Sequence, residues 1–167
     1  GRLYRRLARS GTETHRAFAN PSMGPERLEA VNLPSTLAME LPWMGALATA
    51  DGLSRIYASM LGPVDGIRTV SDATVRPLHQ RQSWSSRDRI IQKPLGWSQG
   101  FLKDERRLFS PNTASFGHAG AGGPVGWADP TTGLAFGYVM NRMDWRIRSP
   151  RAVSLAHALY RCVDALR

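Results

Sequence analysis

The spacing of apolar residues changes twice along the chain, and the changes mark its elements. Residues 1 to 9 read as the end of a helix, and residues 10 to 44 read as irregular connecting chain, broken by Pro21, Pro25, Pro34 and Pro42. From Thr49, a capping residue, the apolar positions Leu53, Ile56, Tyr57, Met60 and Leu61 fall at helical spacing until Gly62-Pro63 stops the turn. Ser71-Asp72 opens a second, short helix with Val75 and Leu78 turned inward, and residues 80 to 92 are polar and expected to be exposed. From residue 94 the period becomes that of strands. Residues 95–102 read as one strand, residues 125–128 and 134–140 as two more, and Asp129-Pro130-Thr131-Thr132-Gly133 supplies the turn between them. Ser149 as cap and Pro150 at the first position begin a terminal helix with two adjacent stripes: Leu155, Leu159, Cys162, Leu166, and Val153, Ala156, Tyr160, Val163. So wide an apolar face calls for a sheet beneath it. Helices, then strands, then a closing helix predict an α+β architecture with an antiparallel sheet, divided into residues 1–44 (helix end and connecting segment) and 45–167 (the folded part).

Composition adds exclusions. The 167 residues are one domain's length, 42% of them are hydrophobic, and no run reaches the roughly 20 apolar residues that a membrane-spanning helix needs. The cytoplasm is the default expectation. The chain opens Gly1-Arg2-Leu3 without an initiator Met, as an excerpt of a longer protein would. Its net charge of +9 is carried almost wholly by Arg, with Lys93 and Lys103 the only lysines. Apart from Arg2, Arg5, Arg6 and Arg9 the basic residues are scattered and do not alternate with aromatics, so no nucleic acid partner is expected. A single cysteine, Cys162, rules out an intrachain disulfide, and its place on an apolar stripe predicts a buried thiol. His15, His79, His118 and His157 lack the spacing of a zinc site. Neither metal nor cofactor is expected.

The richest stretch for chemistry is Phe116-Gly117-His118-Ala119-Gly120-Ala121-Gly122-Gly123-Pro124. Read plainly, it is a glycine-rich turn between strands. Read for function, it is a strand end where small residues admit a ligand, His118 points into a cleft, and backbone N–H groups after Gly120 aim at a developing oxyanion. His118-Ala119-Gly120 resembles the third motif of serine β-lactamase-like hydrolases, written Lys-Thr-Gly in many members and His-x-Gly in a branch rich in esterases. Residues 122–143, Gly-Gly-x-x-Gly-x-Ala-Asp-Pro-x-x-Gly-Leu-x-Phe-Gly-Tyr-Val-Met-Asn-Arg-Met, resemble that branch over a continuous run, and Ala48 to Ala58 is similar to the helix before the motif.

The resemblance implies a partial β-lactamase/transpeptidase-like fold lacking the amino-terminal helix, two strands and most of the helical subdomain. It implies a serine hydrolase, an esterase, acting on a small acyl ester or amide. In that family a Ser-x-x-Lys serine attacks the acyl carbon while its Lys and the Tyr of Tyr-x-Asn handle the proton; neither motif occurs here. What carries over is His118 facing the substrate, Gly120 for close approach, Ala121 N–H as oxyanion donor, and Gly122 beside the substrate. The stretch from Leu37 to Met44 departs from the family, which has an Asn-Gly pair there. The chain is therefore expected to be silent alone and open to complementation by the missing amino-terminal part; a non-catalytic ligand-binding or interaction module is the alternative. Gly96-Trp97-Ser98-Gln99-Gly100 also matches a Gly-x-Ser-x-Gly nucleophile elbow, with Asp104 and His118 following in α/β-hydrolase order. An elbow needs a helix directly after the serine, and a strand is expected there instead.

Overall fold

The computed structural model describes residues 2–20, 27–41, 45–103 and 107–166, and the chain forms two compact units: 1–47 with 87–93, and 48–86 with 94–167.

The smaller unit contains helices α1 (Arg2–Ala8), α2 (Glu13–Phe18) and α3 (Pro34–Leu37), with a 3-10 stretch at Arg27–Asn32. Residues 10 to 44, expected to be irregular, are thus partly helical, because Thr12 Oγ1 caps α2 by accepting from His15 N–H at 3.1 Å and Pro34 stands where a helix tolerates proline. Pro21, Pro25 and Pro42 lie outside the described residues, as do Trp43 and Met44 of the departing Leu37 to Met44 stretch. Thr14 is fully buried and ties the unit together: its hydroxyl donates to Ile90 O at 2.9 Å and accepts from Arg6 Nε at 3.2 Å.

The larger unit starts with α4 (Ala50–Leu61), whose cap is the one read from sequence: Thr49 Oγ1 accepts from Gly52 N–H at 3.0 Å. α5 (Asp72–Val75) follows, and Val75 and Leu78 are buried as expected. Among the described residues six strands then form one antiparallel sheet whose spatial order is the chain order: β1 (Ser83–Ser85), β2 (Leu95–Trp97), β3 (Leu102–Lys103), β4 (Phe116–Ala119), β5 (Val125–Asp129) and β6 (Leu134–Tyr138). There are two departures from the expected strands. Ser83–Ser85, read as exposed polar chain, does stay largely exposed, Trp84 included, but pairs with β2 at the sheet's edge. Residues 95–102 are not one strand but a hairpin, because Gly100 takes φ +80° and Ser98 N–H bonds back to Phe101 O at 2.9 Å.

Alternation along β5 sends Val125 and Trp127 to one face and Gly126 and Ala128 to the other. On the first face they meet Phe109, Ala119 and helix α6 (Pro150–Ala165) through Ala152 and Ala156. On the second, Ala128 and Phe116 meet Tyr57 of α4 with Val75 and Leu78. Each large side chain buried this way contributes about 1.5–3 kcal/mol. Gly126 and Gly137 face each other across β5 and β6, and they let α4 lie against bare backbone. A Cβ at Gly126 would sit 2.0 Å from Tyr57 Cε2, and one at Gly137 would sit 2.5 Å from Ala50 O.

α6 corrects two expectations. It buries one stripe, Ala152, Ala156 and Tyr160, with Val153 packed beside it, whereas Leu155 is 47% and Leu166 87% exposed and Cys162 is exposed too. A helix resting on a single sheet face covers one stripe at i, i+4, i+8, which leaves the second outward. Ser149 precedes Pro150 as read, but its hydroxyl makes no cap; it donates to Asp144 Oδ2 at 2.8 Å.

Candidate functional site

The site is built on β4 and the turn that follows it. β3 pairs with β4 at one position only, Leu102 with Gly117, so from His118 onward the β3-side edge of β4 has no strand partner among the described residues. His118 lies opposite Gly126 and is exposed, and the Trp97 ring stands 5.9 Å from its own, tilted by 41°. Gly117 must be glycine: an added Cβ would fall 2.2 Å from Gly126 O and 2.3 Å from the Trp127 ring.

The turn is held from both sides. Gly120 N–H donates to Pro124 O at 2.8 Å and Gly123 N–H to Gly120 O at 3.2 Å. Gly122, at φ +87°, is buried under Met143, and its carbonyl accepts from Asp144 N–H at 2.7 Å. Asp144 in turn accepts from Ser149 Oγ and from Arg146 N–H at 3.0 Å, and its carboxyl is held below the usual range, first by the Ser149 hydroxyl. Ala121 is exposed at the tip, and its N–H donates to no group among the described residues. Neither the Ala121 nor the Gly122 N–H donates to an acceptor among the described residues, and such an N–H in a braced turn close to an imidazole can receive an oxygen that gains negative charge. His118, Gly120 and Ala121 are thus brought together, and Gly122 is the buried brace behind them.

His118 is exposed as a residue, but neighbouring atoms strip water from part of its ring, and this, only partly offset by a hydrogen bond at the Ala119 backbone, lowers its pKa below the ordinary histidine value. At neutral pH the ring is therefore uncharged and offers a hydrogen bond rather than a full charge. On the same face of β4 as His118, Phe116 stacks on His79 at 5.9 Å, and buried Lys103 donates from Nζ to the carbonyls of Leu78 at 3.3 Å and His79 at 2.8 Å. Burial, then the Lys103 charge, lowers the pKa of His79 as well.

Ser98 does not form an elbow. It is buried in the β2–β3 hairpin, its hydroxyl donates to Phe101 O at 3.3 Å, and a strand follows it rather than a helix; Asp104 lies outside the described residues. Among the described residues no group of three or more His, Cys, Asp or Glu side chains comes together as a metal site.

Sequence reasoning took Asp129 only as a turn former, and the structure gives it more to do. It is fully buried at the end of β5, where Oδ2 accepts from Ser110 Oγ at 3.0 Å, Asn112 Nδ2 at 2.8 Å and Tyr160 Oη at 2.6 Å, and Oδ1 accepts from Thr131 N–H at 2.9 Å. Burial alone would raise its pKa; the hydrogen bonds from Asn112, Tyr160, Thr131 and Ser110 outweigh that and lower it. The hint in the sequence was Tyr160 on the buried stripe of α6, since a buried phenol hydroxyl needs a partner.

An antiparallel sheet with a helix on each face and a braced glycine turn after the histidine strand is part of a β-lactamase/transpeptidase-like fold. The family model "Beta-lactamase" matches residues 4–160, and the chain belongs to that family. It is 37% identical over 109 residues to the esterase/beta-lactamase LipL of Mycobacterium tuberculosis, a match covering 64% of this chain and 25% of that protein. A family VIII carboxylesterase superposes with TM-score 0.65 at 30% identity, covering 81% of this chain and 39% of the other. A penicillin-binding protein homolog from Caulobacter crescentus superposes with TM-score 0.64 at 31% identity, covering 68% and 32%. EstA from Arthrobacter nitroguajacolicus Rue61a gives TM-score 0.71 at 26% identity, covering 81% and 37%. The chain thus spans about a quarter of the length of LipL. Among the described residues no helix is long and apolar enough to cross a membrane.

Proposed function

We propose that these residues form the histidine-strand and oxyanion wall of a serine hydrolase acting on small acyl esters, with the nucleophile and its base supplied by chain outside them. The observation that carries this reading is the uncommitted Ala121 N–H beside exposed His118, on a strand edge left unpaired beyond Gly117. In the complete protein a serine Oγ, giving its proton to the base outside these residues, adds to the ester carbonyl, the carbonyl electron pair moves onto oxygen, and Ala121 N–H donates to that oxygen. Collapse expels the alcohol, to which the base returns the proton, and water then releases the acid by the same route. Gly120 keeps the approach clear, neutral His118 offers the substrate a hydrogen bond, and Gly122 fixes the turn beside it. One such N–H is worth about 10²–10³ in rate, and only with a nucleophile in place.

On this reading the chain alone hydrolyses nothing and is complemented by the missing amino-terminal part. The test is p-nitrophenyl acetate and butyrate hydrolysis by the purified chain, alone and mixed with the amino-terminal part of LipL. Activity only on mixing supports the split-site reading. Activity of the chain alone, with stoichiometric labelling by a serine-reactive phosphonate, would place the nucleophile within these residues and overturn it.

A further inference from the structure

Gly122 is bare for a reason that lies outside its own turn. A Cβ there would fall 2.7 Å from Met143 Cε, 3.0 Å from its Cγ and 3.3 Å from its Cβ, so the methionine side chain lies along the glycine from one end to the other. Met143 is held in this place by the residue after it. Asp144 N–H donates to Gly122 O at 2.7 Å, and the Asp144 carboxylate accepts at 2.8 Å from the hydroxyl of Ser149, which is fully buried. The turn takes up only one side of the thioether, since Met143 is 51% exposed among the described residues. Consecutive Cα atoms are about 3.8 Å apart, so this side chain begins within roughly one residue's length of both uncommitted N–H groups, those of Ala121 and Gly122.

We propose that Met143 is a specificity-determining residue of this site: it is the wall against which the acyl chain of the substrate lies, and the favoured esters are those of apolar acids longer than acetate. The inference rests on the oxyanion reading above and adds the substrate class. A carbonyl held at the Ala121 or Gly122 N–H has two substituents, and they make different demands. The departing oxygen takes up a proton and needs a polar neighbour, and His118 stands beside the turn to serve it. The carbon chain needs only to be taken out of water, and Met143 is an apolar side chain seated on the turn itself. An unbranched thioether with several rotatable bonds moulds to chains of different shape, which suits a preference for apolar chains as a class over any one chain.

The experiment is an NMR titration of the purified chain, labelled at its backbone nitrogens and methionine methyl carbons, with acetate and separately with hexanoate, acids that such esters release. Both carboxylates should shift the Ala121 and Gly122 amides, hexanoate should bind roughly tenfold more tightly, the worth of about two buried methylenes, and only hexanoate should move the Met143 methyl. Met143→Ala should remove most of the preference for hexanoate, and Met143→Leu, which restores an apolar side chain, should recover most of it. Amide shifts with equal affinities for the two acids, or without movement of the Met143 methyl, overturn this inference and leave the oxyanion reading standing, as does a folded Met143→Ala chain that keeps the full preference. Amides of Ala121 and Gly122 that respond to neither acid overturn the oxyanion reading and this inference with it. Comparison of the two acids on the unsubstituted chain needs no variant, so misfolding at position 143 leaves the test intact.

Discussion

Tyr160→Phe removes one hydroxyl and one 2.6 Å hydrogen bond to a buried carboxylate. Asp129 keeps its donors from Ser110, Asn112 and Thr131, so the loss is that of a single bond to a charged acceptor, about 1.5–3 kcal/mol. Asp129→Ala is worse, because it leaves the buried hydroxyls of Ser110 and Tyr160 and the Asn112 amide without their acceptor, at about 1–3 kcal/mol each, or about 4 kcal/mol in total once some relaxation is allowed. In the Asp129→Ala background Tyr160→Phe should then cost little, a coupling of about 2 kcal/mol. The same carboxylate sets an acid limit. Its pKa is lowered on folding, so the stability it contributes is fully present above the unfolded value near 3.9 and is lost as pH falls through the lower folded value. Asp129→Asn should flatten that acid slope. Urea unfolding followed by tryptophan fluorescence between about pH 3 and 7 measures all of this. A Tyr160→Phe variant within 0.5 kcal/mol of the unsubstituted chain, or an Asp129→Asn variant with an unchanged acid slope, would refute the reasoning.

Three further outcomes are expected. Gly137→Ala drives a methyl to 2.5 Å from Ala50 O and should destabilise by about 2–3 kcal/mol in the same assay, since backbone cannot step aside as a side-chain tip can. NMR titration should place the His118 midpoint below 6.5; because folding lowers this pKa, its contribution to stability is present above 6.5 and is lost as pH falls through the folded value, and a midpoint at or above 6.5 would mean that water reaches the ring freely. Cys162, exposed on α6, should react with a thiol reagent in the native chain as fast as in urea, whereas reaction only on unfolding would restore the buried thiol expected from its stripe.

Where the sequence was informative, a local rule decided the outcome without help from distant chain. Thr49 and Gly62 bound α4 because a cap and a stop act within one turn, and Gly133 at φ +75° turns β5 into β6 for the same reason. The His118 strand and its glycine turn were legible as a motif. Where reading failed, tertiary context had the casting vote. Apolar spacing on α6 gave two stripes, but only a sheet can choose between them, and it took Ala152, Ala156 and Tyr160. Residues 95–102 alternate like one strand, and the backbone reversal at Ser98 and Gly100 leaves no apolar signature. Asp129 drew attention as half of an Asp-Pro turn, while its partners sit at positions 110, 112 and 160, far from it in sequence. Trp97 near His118 was equally invisible, because it takes the folded β2–β3 hairpin to bring its ring within 5.9 Å of the His118 ring from a strand that is not a neighbour of β4.

The sheet whose spatial order repeats its chain order also bears on how the molecule is made. Every strand finds its neighbour through the connection directly beside it, so no pairing waits for a far part of the chain and little loop entropy opposes each step. Closure is different: Tyr160 must return across 31 residues to reach Asp129. The sheet is therefore the early event and the seating of α6 the late one, and pulse-labelled exchange during refolding should find β4, β5 and β6 protected before α6. A chain emerging from the ribosome would have its histidine strand in place before the helix that locks it has been synthesised.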